Sequence, residues 1–150
     1  MIYIGSDHGG YKLKEDLKRF MLRHKLPFED LGPSKLDPFD DYPFFAKKVA
    51  EAVSKDPSKN RGILMCRSGH GVCIVANKFK GVRAALCWND QLAVASRKDD
   101  DANVLCLPSD YISCEIAEEV LKTWLDQKFQ LEERFLRRLD EITKIESSKK

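Results

Sequence analysis

The sequence predicts an α/β domain built on a doubly wound, five-stranded parallel sheet with an extra helix at its C-terminal end. Three observations predict it. Five short apolar or β-branched runs alternate with segments of helical spacing along the 150 residues. Most of these runs are apolar at consecutive positions, as expected of strands covered on both faces. Two of them end in glycine-rich loops that open a helix, and in such sheets ligands bind beyond the carboxyl ends of the strands.

The predicted strands are Ile2–Gly5, Phe28–Leu31, Gly62–Cys66, Ala84–Cys87 and Asn103–Leu107. Between them, Tyr11–His24 puts Leu13, Leu17, Phe20 and Met21 on one helical face, and Tyr42–Ser54 does the same for Phe45, Val49, Ala52 and Val53. Shorter helices are predicted at Val72–Phe79 and Asp90–Arg97. Cys114–Lys128 carries Ile116, Val120, Leu121 and Trp124, and a charged helix, Leu131–Glu146, follows. Gly32–Asp41, with its prolines and aspartates, reads as a loop, and the run Lys98–Asp101 as a solvated turn. One domain is expected over residues 1–146, with a frayed tail at 147–150.

Composition narrows the function. A net charge of +2, with no basic stripe and no interleaved stacking aromatics, argues against nucleic acid. No apolar run approaches the length that spans a bilayer, so no membrane association is expected. The N-terminus lacks the pattern of a signal peptide. The five cysteines include no C-x-x-C pair and only three histidines are present, so no metal site is expected. An odd number of thiols, mostly in apolar runs, suits a reducing, cytoplasmic setting.

Two loops carry the residue types of a catalytic site. The first strand runs into Gly5-Ser6-Asp7-His8-Gly9-Gly10, where Asp7 can bond a hydroxyl and His8 can meet an anion or move a proton. The plain alternative is a turn with Asp7 as a helix cap. The third strand runs into Cys66-Arg67-Ser68-Gly69-His70-Gly71. A thiol ahead of a helix N-terminus is placed for a lowered pKa and can serve as a base. The glycine-flanked amides of that loop can hold a developing oxyanion, and Ser68 can exchange a hydrogen bond with a substrate oxygen. Here the plain alternative is a buried cysteine beside an ordinary turn. Gly69-His70-Gly71 lacks the third glycine of a dinucleotide fingerprint. In the last helix Arg134 and Arg138 lie four apart on one face, able to fork onto one phosphate, although neighbouring carboxylates could pair with them.

Taken together, GSDHGG, the strand into CRSGHG, VANKFKGVRAAL, SRKDDDANVL and the late arginine pair resemble the ribose-5-phosphate isomerase type B family, whose wider group includes galactose-6-phosphate and allose-6-phosphate isomerases. The resemblance runs from about Ile2 to Ile145. It implies a Rossmann-like three-layer sandwich and a homodimer, often paired into tetramers, with active sites shared between subunits. It also implies a sugar-phosphate substrate and neither metal nor cofactor. By this resemblance Cys66 moves a proton between C1 and C2 of an aldose such as ribose 5-phosphate, and Ser68 helps to open the ring. Asp7 bonds sugar oxygens, His8 lies near the phosphate, the amides of Gly69, His70 and Gly71 hold the enediolate beside Arg67, and Arg134 and Arg138 bind phosphate.

Three positions depart from the family. Asp99-Asp100 replaces a histidine–asparagine pair, which leaves ring opening to Asp99, Asp100 or His70. Asp110 replaces an arginine credited with phosphate contact, and Phe135 replaces a histidine. These departures keep two alternatives open: an isomerase of a tetrose, hexose or unphosphorylated sugar, and a non-catalytic or paralogue-dependent sugar-phosphate-binding subunit.

Overall fold

A computed structural model describes residues 1–148. Its five strands are β1 (Ile2–Ser6), β2 (Phe28–Asp30), β3 (Arg61–Cys66), β4 (Ala84–Leu86) and β5 (Val104–Pro108). They form one parallel sheet in the order β2-β1-β3-β5-β4. The helices are α1 (Tyr11–Arg23), α2 (Tyr42–Ser54), α3 (His70–Ala76), α4 (Asp90–Asp100), α5 (Cys114–Asp126) and α6 (Glu133–Ser148).

The central strands place alternate side chains on opposite faces, and each face has its own core. Ile63 and Met65 of β3 join Ile4, Leu105 and Leu107 against α1, α4 and α5, where Leu17, Met21, Leu121 and Trp124 are fully buried. Leu64 and Cys66 point the other way, with Val104 and Cys106, onto α2 and α3. Hence the three layers, and hence the consecutive apolar positions in the sequence.

Several helices differ from their predicted limits. Helix α3 begins at His70, two residues earlier than expected, because Gly69 adopts φ +74° and turns the chain directly out of the β3 loop. Helix α4 continues through Asp99 and Asp100, so most of the acidic run is helical rather than a turn. Carboxylates at a helix C-terminus oppose its dipole. Here Asp101, the left-handed cap at φ 44°, is held by Arg97 at 2.7 Å and Arg83 at 2.9 Å. Helix α6 reaches Ser148, beyond the expected start of the tail, and residues 149–150 lie outside the described residues.

Lys14 is 0% exposed. Its Nζ donates to both Asp30 oxygens, at 3.0 and 2.8 Å, to Glu15 at 3.0 Å and to the Pro33 carbonyl at 2.8 Å. Asp30 also accepts from Lys18 at 2.6 Å and from the Gly32 N–H at 2.9 Å. The cluster ties α1 to β2 and to the loop that leaves it.

Helix α6 buries only Phe135 on its own chain and leaves Leu136, Ile142 and Ile145 exposed. Its far end is fastened by the Gly81 N–H, which donates to both oxygens of Glu146.

Lys14→Met, which removes one of the two ammonium groups on Asp30 and leaves Lys18 in place, is expected to cost about 1.5–3 kcal/mol in urea unfolding, the scale of a charged hydrogen bond. Burial alone would raise the Asp30 carboxyl, but the hydrogen bonds from Lys14, Lys18 and Gly32 outweigh it and hold the group below its ordinary value. A carboxyl lowered in the folded state stabilises at pH above its unfolded value and loses that contribution as pH falls through the folded value. Asp30→Asn should therefore flatten the acid limb of the stability–pH curve.

Candidate active site

The loops after β1 and β3 meet at the carboxyl end of the sheet. Gly9 brings them together: a Cβ there would lie 2.5 Å from Arg67 Cγ and 3.3 Å from Asp7 Oδ1. Gly10 seats the start of α1 on β3, since a Cβ at that position would come within 2.5 Å of the Met65 carbonyl oxygen.

Asp7 is buried, and its Oδ1 accepts the Gly10 N–H at 3.0 Å. That bond closes the turn just ahead of α1, whose N-cap is Gly10 rather than Asp7. Burial raises its carboxyl above the ordinary value, with the Gly10 N–H and His8 opposing and Asp40 adding to the rise. His8 is held by Asp40, whose Oδ1 lies 2.8 Å from both its main-chain nitrogen and its Nδ1. That hydrogen bond raises the His8 ring above its ordinary value, against a smaller opposing effect of desolvation. Asp40 comes from the loop between β2 and α2. Nothing in the run GPSKLDPFDD marked it out from its fellow aspartates; a loop too long to be a bare connection was the one signal.

Cys66 ends β3 with 5% exposure. The loop beyond it is laced to the end of β5: the Cys66 carbonyl accepts from Ser109 N–H at 3.0 Å, and the Arg67 carbonyl from Asp110 N–H at 2.9 Å. Ser68 Oγ accepts from His70 N–H at 3.4 Å. Gly71 lies under a ring that sequence reading did not place there, since a Cβ on it would be 2.6 Å from Tyr42 Cζ. The His70 side chain is exposed. Asp110, expected to repel an anion if it pointed inward, is half-exposed and 3.5 Å from the Arg67 guanidinium.

The remaining predicted residues lie elsewhere. Helix α4 runs antiparallel to the strands, so Asp99 and Asp100 emerge at the amino end of the sheet. There Arg83 Nε, one residue before β4, donates to the Asp100 carbonyl at 2.9 Å. Arg138 lies close enough to act on the Asp100 carboxyl, which burial and then Asp99 raise above its ordinary value. Arg134 and Arg138 both lie over the buried Phe135 ring, at 4.6 and 6.0 Å, and Arg134 also pairs with Glu132 at 3.2 Å. With about 3.3 Å per strand residue, β3 alone puts roughly 16 Å between this group and Cys66. Asp7, His8, Cys66, Arg67, Ser68 and the Gly69–Gly71 loop thus gather at the carboxyl end of the sheet, and Asp99, Asp100, Arg134 and Arg138 lie at its amino end.

Asp7, His8 and Asp40 offer ligand atoms within 4.8 Å of one another. The 2.8 Å contact between His8 Nδ1 and Asp40 Oδ1 is a hydrogen bond that a metal would have to break, so we read the cluster as a proton-sharing group. A cleft of about 1070 Å³ runs beside α2 and the β2 edge and takes in Asp40 but not Cys66, Ser68 or His70. No helix among the described residues is long and apolar enough to cross a membrane.

The sequence profile of the Ribose/Galactose Isomerase family matches residues 2–142. A Mycoplasma pneumoniae protein named probable ribose-5-phosphate isomerase B is 43% identical over 129 residues, covering 86% of this chain and 84% of its own. A D-erythrulose-4-phosphate isomerase of Pectobacterium atrosepticum is 36% identical over 129 residues, with 86% and 84% covered. The structure of ribose-5-phosphate isomerase B from Mycoplasma genitalium with bound ribulose-5-phosphate superposes with a TM-score of 0.94 at 40% identity, covering 98% of this chain and 96% of that one. Gly10→Ala should force α1 off β3 and lower stability by about 1–3 kcal/mol, the scale of overpacking, measurable as a fall in thermal midpoint.

Proposed function

This chain belongs to the ribose/galactose isomerase family, and on that premise we propose that it interconverts an aldose phosphate and its ketose, with ribose 5-phosphate and ribulose 5-phosphate as the pair. The observation that carries the assignment is the arrangement at the end of β3. There a nearly buried Cys66 stands at the root of an amide-rich, glycine-flanked loop, with Asp7 and His8 delivered beside it from β1.

In the open-chain aldose the Cys66 thiolate removes the C2 proton. The electron pair moves into the C1–C2 bond and the C1 carbonyl oxygen becomes the oxyanion of an enediolate. Amides of the Gly69–Gly71 loop face that charge. The proton on Cys66 then returns to C1, while the O2–H proton passes to O1 with Ser68 as relay. One base serves both carbons, and the sum is a shift of two hydrogens within one molecule, which needs no external oxidant. Asp7 bonds the sugar hydroxyls and Arg67 borders the mouth.

The phosphate-binding pair and the acid for ring opening come, in this reading, from a second copy of the chain. What supports this is the distance between the two groups and the exposed apolar stripe of α6. Asp99 and Asp100 of the second copy take the ring-opening role. The raised carboxyl of Asp100 suits a proton donor. The free thiols, three of them buried, support a reducing, cytoplasmic setting. The relative acting on a tetrose phosphate supports a second reading in which the substrate is too short to form a stable ring, so no ring-opening group is needed.

Purified protein should isomerise ribose 5-phosphate, and Cys66→Ala should abolish turnover while ligand binding persists; turnover by that variant would remove Cys66 as the base. Erythrose 4-phosphate turned over in preference to ribose 5-phosphate would select the second reading. Arg134→Ala should weaken substrate binding by about 1.5–3 kcal/mol, the scale of a charged hydrogen bond. Mixing Cys66→Ala with Arg134→Ala subunits should restore activity, because half-sites from different chains then form one intact site. If, at low substrate, the mixture is no more active than the average of its two components, the shared site is wrong.

A further inference from the structure

Asp40 has no role in the proton transfers above, yet the chain spends a buried carboxylate on it. Its side chain is 9% exposed. Oδ1 takes two hydrogen bonds from a single residue, the main-chain N–H and the Nδ1 of His8, both at 2.8 Å. Oδ2 is buried and has no partner. A carboxylate so placed is tolerated when a cation faces it. The charged groups that act on the His8 ring are Asp7 from the end of β1 and Asp40 from the β2–α2 loop.

Because an ionised carboxylate only accepts, Nδ1 must carry the proton that Asp40 receives. His8 is then anchored through its main chain and its ring, and keeps one free nitrogen, Nε2, on a side chain that is 27% exposed. We propose that Asp40 is a positioning residue for substrate binding, fixing His8 so that Nε2–H donates to the anionic end of the sugar. This rests on the isomerase reading above.

A neutral ring held by Nδ1–H would present the Nε2 lone pair to an anion and repel it. The imidazolium presents a donor and a charge instead. Since the Asp40 hydrogen bond raises the His8 ring above its ordinary value, the donor form is complete at low pH and is lost only as pH rises through that raised value. Anion binding should therefore extend to higher pH than a free histidine would allow.

Asp40→Asn keeps an acceptor for both donors and removes the charge. In that variant the His8 ring, followed by nuclear magnetic resonance, should titrate at lower pH. The KM for ribose 5-phosphate should begin to rise at correspondingly lower pH, while kcat on the acid side is retained. Asp40→Ala, which loses both anchors, should raise KM roughly tenfold or more, the scale of one charged hydrogen bond. An unmoved His8 titration, or an unmoved KM–pH profile, overturns the proposal. Should neither variant fold, the wild-type ring decides: a neutral form protonated at Nε2 rather than Nδ1 overturns it. Should the wild type turn over no sugar phosphate, the isomerase reading fails separately. Inorganic phosphate titrated against wild type and Asp40→Asn then tests the anion contact alone, with weaker perturbation of the variant's His8 expected and equal perturbation overturning it.

Discussion

A buried ammonium holds the architecture of the site in register. Lys14 sits on α1 among residues that should face a hydrophobic core, and it is retained there because four acceptors surround it. Two of them are the oxygens of Asp30, at the end of the edge strand β2, and another is the Pro33 carbonyl, in the first turn of the loop beyond. A charge without such partners would not remain in an apolar layer. The bond network therefore sets where the β2–α2 loop begins, and the Ser6 N–H, donating to the Gly32 carbonyl at 3.1 Å, ties the same point to the end of β1. From that anchor the loop delivers Asp40 to His8 and then starts α2 with Tyr42 over Gly71. The carboxyl-end group is thus assembled from β1, β3 and a loop that has no regular structure of its own.

The separation of the two groups follows from the parallel sheet. Every strand ends on the same side, so loops after β1, β3 and β5 converge, and every helix that follows a strand carries its last turn to the opposite side. Asp99 and Asp100 belong to a last turn, and α6 crosses nearby. No side chain is long enough to bridge that span. In the proposed enzyme the apolar stripe on α6 and the arginines beside it serve one arrangement: the stripe joins the copies, and the arginines complete the neighbouring site.

Much of the fold was readable because two-sided burial leaves a strong mark. Each of the five strands lies within a residue or two of its predicted limits, and the buried face of α1 contains Leu13, Leu17, Phe20 and Met21 as expected. The glycine-rich loops at strand ends marked where the β1 and β3 loops meet for the same reason, since close backbone approach requires missing side chains. Lys14 and Asp40 were not readable. Each belongs to a residue type that is solvated by default, and each is made exceptional by partners 16 and 32 positions away. Helix α4 ran past its expected end because Arg83, distant in sequence, neutralises the carboxylate that caps it. Local pattern carries propensity; it does not carry which distant charge will arrive.

Asn77 has a consequence for how the protein meets its own kind. It lies just beyond α3, and its amide donates to the Ala84 carbonyl at 2.9 Å while its oxygen accepts the Ala84 N–H at 2.9 Å. The side chain thus imitates the next strand at the outer margin of β4, and a passing polypeptide finds that donor–acceptor pair already taken. An unprotected margin is where sheets run on from molecule to molecule toward fibrils and amorphous deposits. With this margin blunted by one amide, the sheet offers no free template at Ala84 on which another strand could add.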